Sequence, residues 1–442
     1  MKNPDLIAPD SHKPSRRDVL RVGAAGAAAL ALAGCASTGG PMSSSKTIGR
    51  VVVVGGGFGG ATAAKYLRLW GAGEIDVTLV EPNRQFVSCP MSNLVIGGSK
   101  AMKDITLGYE GLARRGVRVV HDMAAAIDPS AKQVRLANGS SLPFDRVVVS
   151  PGIEFMYEGV QGMNAEAQQT VLHAWRAGPQ TVALRQQLEA MPDGGVVVIA
   201  IPLAPYRCPP GPYERACQIA HYLKTRKPRS KVLVLDANPD MVSKKPLFTR
   251  VFSEDYKGII EYRNSANVTE VDARGKAFRT ELGDTIKGDV LNLVPPMRAG
   301  NIARDAGLIT ANNRWCGVDW TTMESTAVKN VHVLGDATLS APAMPKSGHM
   351  ANQHGKAAAA AIVELLNGRT PMPTMMANTC YSYIDDKSAV HVASVHRFNA
   401  EQKTMVTVQG SGGVSTQDRK SWEVEGDYAW GWAETIWSDM LT

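Results

Sequence analysis

Six cysteines are spread through 442 residues, at positions 35, 89, 208, 217, 316 and 380. That density is too low for a disulfide scaffold, so each sulfur needs its own explanation: nucleophile, attachment point, processing site or buried apolar group. Cys208 stands in Pro205-Tyr206-Arg207-Cys208-Pro209-Pro210-Gly211-Pro212, where closely spaced prolines stiffen a loop at the place a substrate site would occupy. Cys380 opens the C-terminal section. Neither belongs to a C-x-x-C motif, so a bond between them would bridge distant segments; an ordinary stabilising disulfide or two buried thiols are equally compatible with the sequence. Cys217, in Glu214-Arg215-Ala216-Cys217, reads as a small apolar side chain on a helix, and Cys316, in Arg314-Trp315-Cys316-Gly317, as structural.

The elements that must position these sulfurs are strands and glycine loops. Val51–Val54 reads as a buried strand, and Gly55-Gly56-Gly57-Phe58-Gly59-Gly60 supplies G-x-G-x-x-G before a helix over Ala61–Leu69. Asp76–Val80 reads as the next strand and closes on Glu81, 21 residues after the last glycine. Gly55 allows the tight turn, Gly57 lets the backbone approach a diphosphate, Gly59 completes the loop and Gly60 lets helix and strand pack; Glu81 accepts from ribose hydroxyls. Two later segments select FAD over NAD. Phe144–Gly152 resembles the strand-then-glycine motif with which two-dinucleotide flavoproteins return to their first domain. Val331-His332-Val333-Leu334-Gly335-Asp336 looks like a second FAD motif, in which Asp336 binds the ribityl chain. Pro345-Lys346-Ser347-Gly348 precedes an Ala-rich helix, whose dipole together with Lys346 would stabilise negative charge on a reduced flavin. The Cys89 loop, Gln85–Asn93, would run beside the dimethylbenzene edge of the flavin, where a thiolate could form a thioether to the 8-methyl carbon.

A second Rossmann-like unit is framed by Gly194–Ile201 and Lys231–Leu235, but the turn after its first strand is proline-rich instead of glycine-rich. Lost N–H donors and crowding argue against NAD(P) there. The charge balance is +7, thinly spread, with no basic run outside the N-terminus and no case for a nucleic-acid partner. Residues 1–35 carry five cations and three acids, so without them the charge is +5. There, Ser15-Arg16-Arg17-Asp18 followed by an apolar stretch from Val22 to Ala33 reads as a twin-arginine export signal, implying a periplasmic protein folded around its cofactor. Ala31-Leu32-Ala33 suits signal peptidase, whereas Leu32-Ala33-Gly34-Cys35 looks like a lipobox, and only lipid on Cys35 would tie the protein to a membrane.

Taken together, Val51–Tyr66, Cys89–Gly98, Gly108–Asp122, Ala200–Leu223, Asp289–Gly307, His332–Gly355 and Asn378–Ser382 resemble the flavoprotein subunit of flavocytochrome c sulfide dehydrogenase, from about Gly49 to the C-terminus. The resemblance implies FAD held covalently by Cys89, a redox-active Cys208–Cys380 disulfide with Glu214 close by, and Trp432 near the isoalloxazine. It implies that hydrosulfide attacks the disulfide, with Glu214 as proton acceptor, and that electrons pass through FAD to a separate c-type cytochrome subunit. No C-x-x-C-H occurs, so no haem is expected on this chain, and no metal site is expected. The alternatives are a sulfide:quinone oxidoreductase or a flavin-bearing accessory subunit of a sulfur-oxidising complex. The expected fold class is α/β, with two Rossmann-like dinucleotide-binding domains and a C-terminal α+β interface domain. The expected divisions are a signal over 1–35, a linker over 36–48 and an FAD domain over 49–159 and 291–369. The second Rossmann-like unit takes 160–290 and the interface domain 370–442.

Overall fold

In the computed structural model residues 47–442 are described; the expected leader, Cys35 and most of the linker lie outside them. Four consecutive valines, Val51–Val54, are buried on both faces, the pattern of a central strand in a parallel sheet. This strand, β1 (Gly49–Val54), is followed by α1 (Phe58–Trp70), β2 (Ile75–Val80), β3 (Arg118–Val120) and β4 (Arg146–Val149). The second unit supplies β5 (Val196–Ile201), α2 (Gly211–Arg226), β6 (Lys231–Asp236), α3 (Lys245–Glu254), β7 (Ile260–Arg263) and β8 (Val290–Leu293). The chain then returns with β9 (Val331–Val333) and α4 (Gly348–Leu366).

Strands β9-β4-β1-β2-β3 form one parallel sheet, and β7-β6-β5-β8 form another. In each sheet the first strand of the unit has later strands on both sides. The loop leaving its C-terminal end therefore opens at the point where strand order reverses, where α/β sheets bind ligands. In the first sheet this is the glycine loop; in the second it is the loop carrying Cys208. The last strand of the second sheet, β8, runs to Leu293, past the expected division at residue 290, because it completes the parallel ladder with β5.

The C-terminal section is an antiparallel sheet of β10 (Met376–Tyr383), β11 (Ala389–Asn399), β12 (Thr404–Thr407) and β13 (Gly413–Val414), with α5 (Arg419–Leu441) against it. Gly426 allows that packing: a Cβ there would lie 1.6 Å from the Lys387 carbonyl oxygen. At its far end α5 meets the first domain, where Tyr66 donates to Asp439 Oδ1 at 2.5 Å and Lys356 pairs with Oδ2 at 2.9 Å. Among the described residues no helix is long and apolar enough to cross a membrane.

Candidate active site

One cavity of about 920 Å³ takes its walls from the first parallel sheet, from the proline loop and the start of α2 in the second unit, and from the C-terminal section. The glycine loop closes one end. Gly55 turns with φ +96°, and a Cβ there would lie 2.3 Å from the Ser150 carbonyl oxygen. Gly57 presents open space instead: nothing lies within 4 Å of its Cβ position, which leaves room for a diphosphate beside the N-terminus of α1. Gly59 also lines the cavity, whereas Gly60 faces away, where a Cβ would meet the Gly55 carbonyl oxygen at 1.8 Å and force β1 and α1 apart. Glu81 is buried at the cavity wall, with Oε2 accepting from Gly56 N at 2.7 Å and Oε1 from Asn83 Nδ2 at 2.7 Å.

Gly335 and Asp336 line the same cavity. Asp336 Oδ1 is buried without a hydrogen-bond partner among the described residues, and burial holds the carboxyl above its ordinary range. An unpaired buried acceptor is costly unless a ligand hydroxyl supplies the donor. The open glycine cradle and this orphaned oxygen fit a flavin dinucleotide.

Three cysteines reach the cavity: Cys89, Cys208 and Cys380. Cys89 precedes the short helix Ser92–Gly97, and its Sγ accepts from Ala177 N at 3.5 Å. Cys208 is held in a left-handed conformation, φ +58°, by its N–H donating to the Lys346 carbonyl oxygen at 2.8 Å and its carbonyl accepting from Gly211 N at 2.9 Å. Cys380 lies on β10, its Sγ 3.4 Å from Asn378 Nδ2. All five described cysteines are free thiols, so the expected Cys208–Cys380 bond is not formed in this structure. The two sulfurs line one cavity, and each thiol is pushed up chiefly by burial; at Cys208 the charge of Cys380 adds to this. Cys217 and Cys316 are buried away from the cavity, in keeping with packing roles.

Glu214 sits in the first turn of α2 and faces the cavity. Its Oε1 accepts from Tyr383 N at 2.9 Å and its Oε2 from Asn93 Nδ2 at 2.9 Å, while burial raises its carboxyl above the ordinary range. Trp432, on α5, closes the cavity with its ring 6.3 Å from Tyr381 and 5.9 Å from His349. Lys346 is a correction to the sequence expectation. Its ammonium does not line the cavity; it donates to the carbonyl oxygens of Asp336 and Thr338 and lies 3.8 Å from the Trp315 ring. A residue type at a helix N-terminus does not fix side-chain direction, and here two unpaired carbonyls draw the ammonium inward. The cavity-facing end of α4 is instead formed by Ser347, whose Oγ caps the helix by accepting from Met350 N at 3.0 Å, and by Gly348.

Sequence reasoning missed the residues that brace this site. Arg215, 1% exposed, donates to Asn93 Oδ1, Asn292 Oδ1 and the carbonyls of His173 and Ala174, and stacks 4.7 Å from the Trp175 ring. It thereby joins α2 to the Cys89 segment and to the second sheet. Arg215→Met leaves four buried acceptors short of a donor and is expected to cost about 3 kcal/mol or more, read by chemical denaturation. The only sequence signal was its position beside Glu214 near the start of α2.

Comparison with known proteins follows the same lines. Residues 181–295 match the model described as sulfide dehydrogenase [flavocytochrome c] flavoprotein chain, central, and residues 372–441 the flavocytochrome c sulphide dehydrogenase flavin-binding model. The chain is 67% identical over 46 residues to the sulfide dehydrogenase [flavocytochrome c] flavoprotein chain of Chlorobaculum thiosulfatiphilum, covering 10% of this chain and 94% of that sequence. The chain belongs to the flavocytochrome c sulfide dehydrogenase flavoprotein family. Residues 49–204 of this family member also match the pyridine nucleotide-disulphide oxidoreductase model. It is 25% identical over 299 residues to a mitochondrial sulfide:quinone oxidoreductase of Dictyostelium discoideum, a match spanning 66% of each chain. In structure it resembles the sulfide:quinone oxidoreductase of Aquifex aeolicus, with TM-score 0.71 and 19% identity over 88% of this chain and 91% of that one. That likeness establishes the fold, an α/β chain with two Rossmann-like units.

Proposed function

We propose that this family member oxidises hydrosulfide at Cys208 and Cys380, with FAD attached through Cys89 and a c-type cytochrome subunit as the electron acceptor. The observation that carries the proposal is that Cys208, Cys380 and Glu214 line one cavity with Cys89, the open glycine loop and Asp336. In the oxidised state the two cysteines form a disulfide. Hydrosulfide adds its sulfur to one of them, and the other leaves as a thiolate, so charge is conserved and a persulfide remains. The proton stays on the added sulfur in that exchange; Glu214 accepts it afterwards, when the thiolate and persulfide are oxidised together to a bridging trisulfide. When bound, FAD would supply the acceptor for the two electrons that this oxidation releases and would pass them on singly. Cys89 would hold the dimethylbenzene edge, Glu81 the ribose and Asp336 the ribityl chain, while Trp432 would keep water from the ring.

NAD(P) has no place in this reaction. The proline loop fills the first turn of the second unit, and the acid at the end of its second strand is already committed. Asp236 accepts from Tyr213 at 2.7 Å and Tyr262 at 3.0 Å on Oδ2, and from Asn238 Nδ2 at 2.7 Å and Asn238 N at 2.9 Å on Oδ1, four donors that leave no lone pair for a ribose. Export by the twin-arginine signal, to a compartment that supplies the cytochrome, completes the proposal, with lipid on Cys35 as a membrane tether if the lipobox is processed.

Sulfide-dependent reduction of a soluble c-type cytochrome, compared with quinone reduction in detergent, tests it. Turnover with cytochrome is expected; turnover with quinone alone would assign the chain to the other enzyme class. The pH profile tests Glu214 separately. Its folded-state carboxyl is raised, and a base must be ionised, so kcat/KM is expected to fall on acidification at a pH above the usual carboxylate range. Glu214→Gln should lower kcat/KM about 10²–10⁴-fold and remove that acid limb.

A further inference from the structure

Lys244 takes no part in the steps above, yet it places a buried positive charge behind the cysteine pair. Its neighbour Lys245 pairs with Asp240 at the surface, whereas Lys244 turns inward in a left-handed conformation, φ +53°, at the start of α3. It is 5% exposed. Its Nζ donates to Ser382 Oγ at 2.8 Å and to the Val390 carbonyl oxygen at 3.0 Å, and it forms no ion pair with a carboxylate among the described residues. A buried ammonium held only by neutral oxygens is costly, and that cost is offset only if a negative charge comes to it.

The register of the C-terminal sheet shows where that charge arises. Ser382 pairs with Val390 across β10 and β11, so Lys244 is anchored on that rung; the next rung on the same face pairs Cys380 with Val392. On the other side of Cys380 the row continues to Asn378, whose Nδ2 lies 3.4 Å from the cysteine sulfur and whose Oδ1 accepts from Ser347 Oγ at 2.6 Å. The ionisable groups that bear on Lys244 are Cys380 on β10, Glu214 on α2, Cys208 in the proline loop and Glu425 on α5. Burial pushes the ammonium down to about 8, and those four groups oppose the shift, Cys380 most strongly. From the other side, Lys244 is the strongest influence favouring a Cys380 thiolate, while at Cys208 it ranks behind Arg207.

We propose that Lys244 is a positioning residue whose ammonium stabilises negative charge on Cys380 Sγ whenever the cysteine pair opens. The inference rests on the proposed function and deepens it by assigning the two sulfurs. The hydrosulfide sulfur bonds to Cys208 Sγ, the Cys208–Cys380 bond breaks, and its electron pair goes to Cys380 Sγ. The single negative charge moves from hydrosulfide to Cys380, beside Lys244, and the persulfide proton stays on the added sulfur. A lower leaving-thiol pKa speeds the exchange.

The test is alkylation by iodoacetamide of the chemically reduced holoprotein across a pH series, resolved by peptide mass for each cysteine. In Lys244→Met the midpoint for Cys380 should rise by about one unit or more, roughly tenfold slower labelling at a fixed pH below it, with a smaller change at Cys208. Lys244→Arg should restore it. An unmoved Cys380 midpoint, or identical Met and Arg variants, would overturn the assignment. If Lys244→Met does not fold, Ser382→Ala removes the anchor and keeps the charge; a smaller upward shift at Cys380 supports the role, and no shift rejects it. No sulfide is used, so a failure here leaves the proposed function standing, whereas sulfide oxidation that survives loss of Cys208 rejects that function without touching the alkylation result.

Discussion

Cys208→Ser is expected to abolish sulfide oxidation, with a loss of about 10⁴-fold or more, while the protein keeps its flavin. Serine cannot form the sulfur–sulfur bond that hydrosulfide must open, and no other described cysteine reaches the cavity to replace it apart from Cys89 and Cys380. The fold should tolerate the change. Cys208 is held by backbone bonds to Lys346 and Gly211, which serine keeps, and its side chain packs so closely on Gly211 that a Cβ there would lie 2.9 Å from Sγ. The smaller hydroxyl fits that space. Anaerobic bleaching of the flavin by sulfide is the readout, and bleaching at the wild-type rate would remove the cysteine pair from the reaction. Cys380→Ser should give the same loss, since the exchange needs both sulfurs.

Cys89→Ala is expected to convert the flavin from one that survives acid precipitation with the protein to one released into the supernatant. Binding should persist, because the glycine cradle, Glu81 and Asp336 are untouched by the change. Covalent attachment raises a flavin's potential, so in the variant sulfide should bleach the flavin more slowly and less completely, and turnover with a c-type cytochrome should fall with it. Flavin that stays with the acid-denatured Cys89→Ala polypeptide would show that the attachment is elsewhere.

The parts of this site legible in the sequence are those fixed by local chemistry. A glycine at φ +96° and another packed against a carbonyl leave a spacing that survives in one dimension, as does the valine run of a strand buried on both faces. The proline loop and Cys208 are read the same way. Contacts between distant segments leave no such trace. Arg215 gathers acceptors at positions 93, 173, 174 and 292, and Lys244 reaches across to Ser382 and Val390, so neither role has a local signature. Lys346 fails for the opposite reason: its position at the helix start was right, but the direction of its side chain depends on the carbonyls of Asp336 and Thr338. The aromatic cluster of α5 divides in the structure, with Trp437 buried in packing and Trp432 on the cavity wall.

The central claim is that sulfide sulfur is carried on the cysteine pair, and it is tested most directly by mixing the oxidised holoprotein anaerobically with one equivalent of sulfide, trapping it with an alkylating agent and measuring peptide masses. One added sulfur atom on the cysteine pair is the predicted result: on the Cys208 peptide with Cys380 alkylated while the flavin is still oxidised, and as a trisulfide joining the two peptides once the flavin is bleached. A bleached flavin with no sulfur on either cysteine peptide would contradict it.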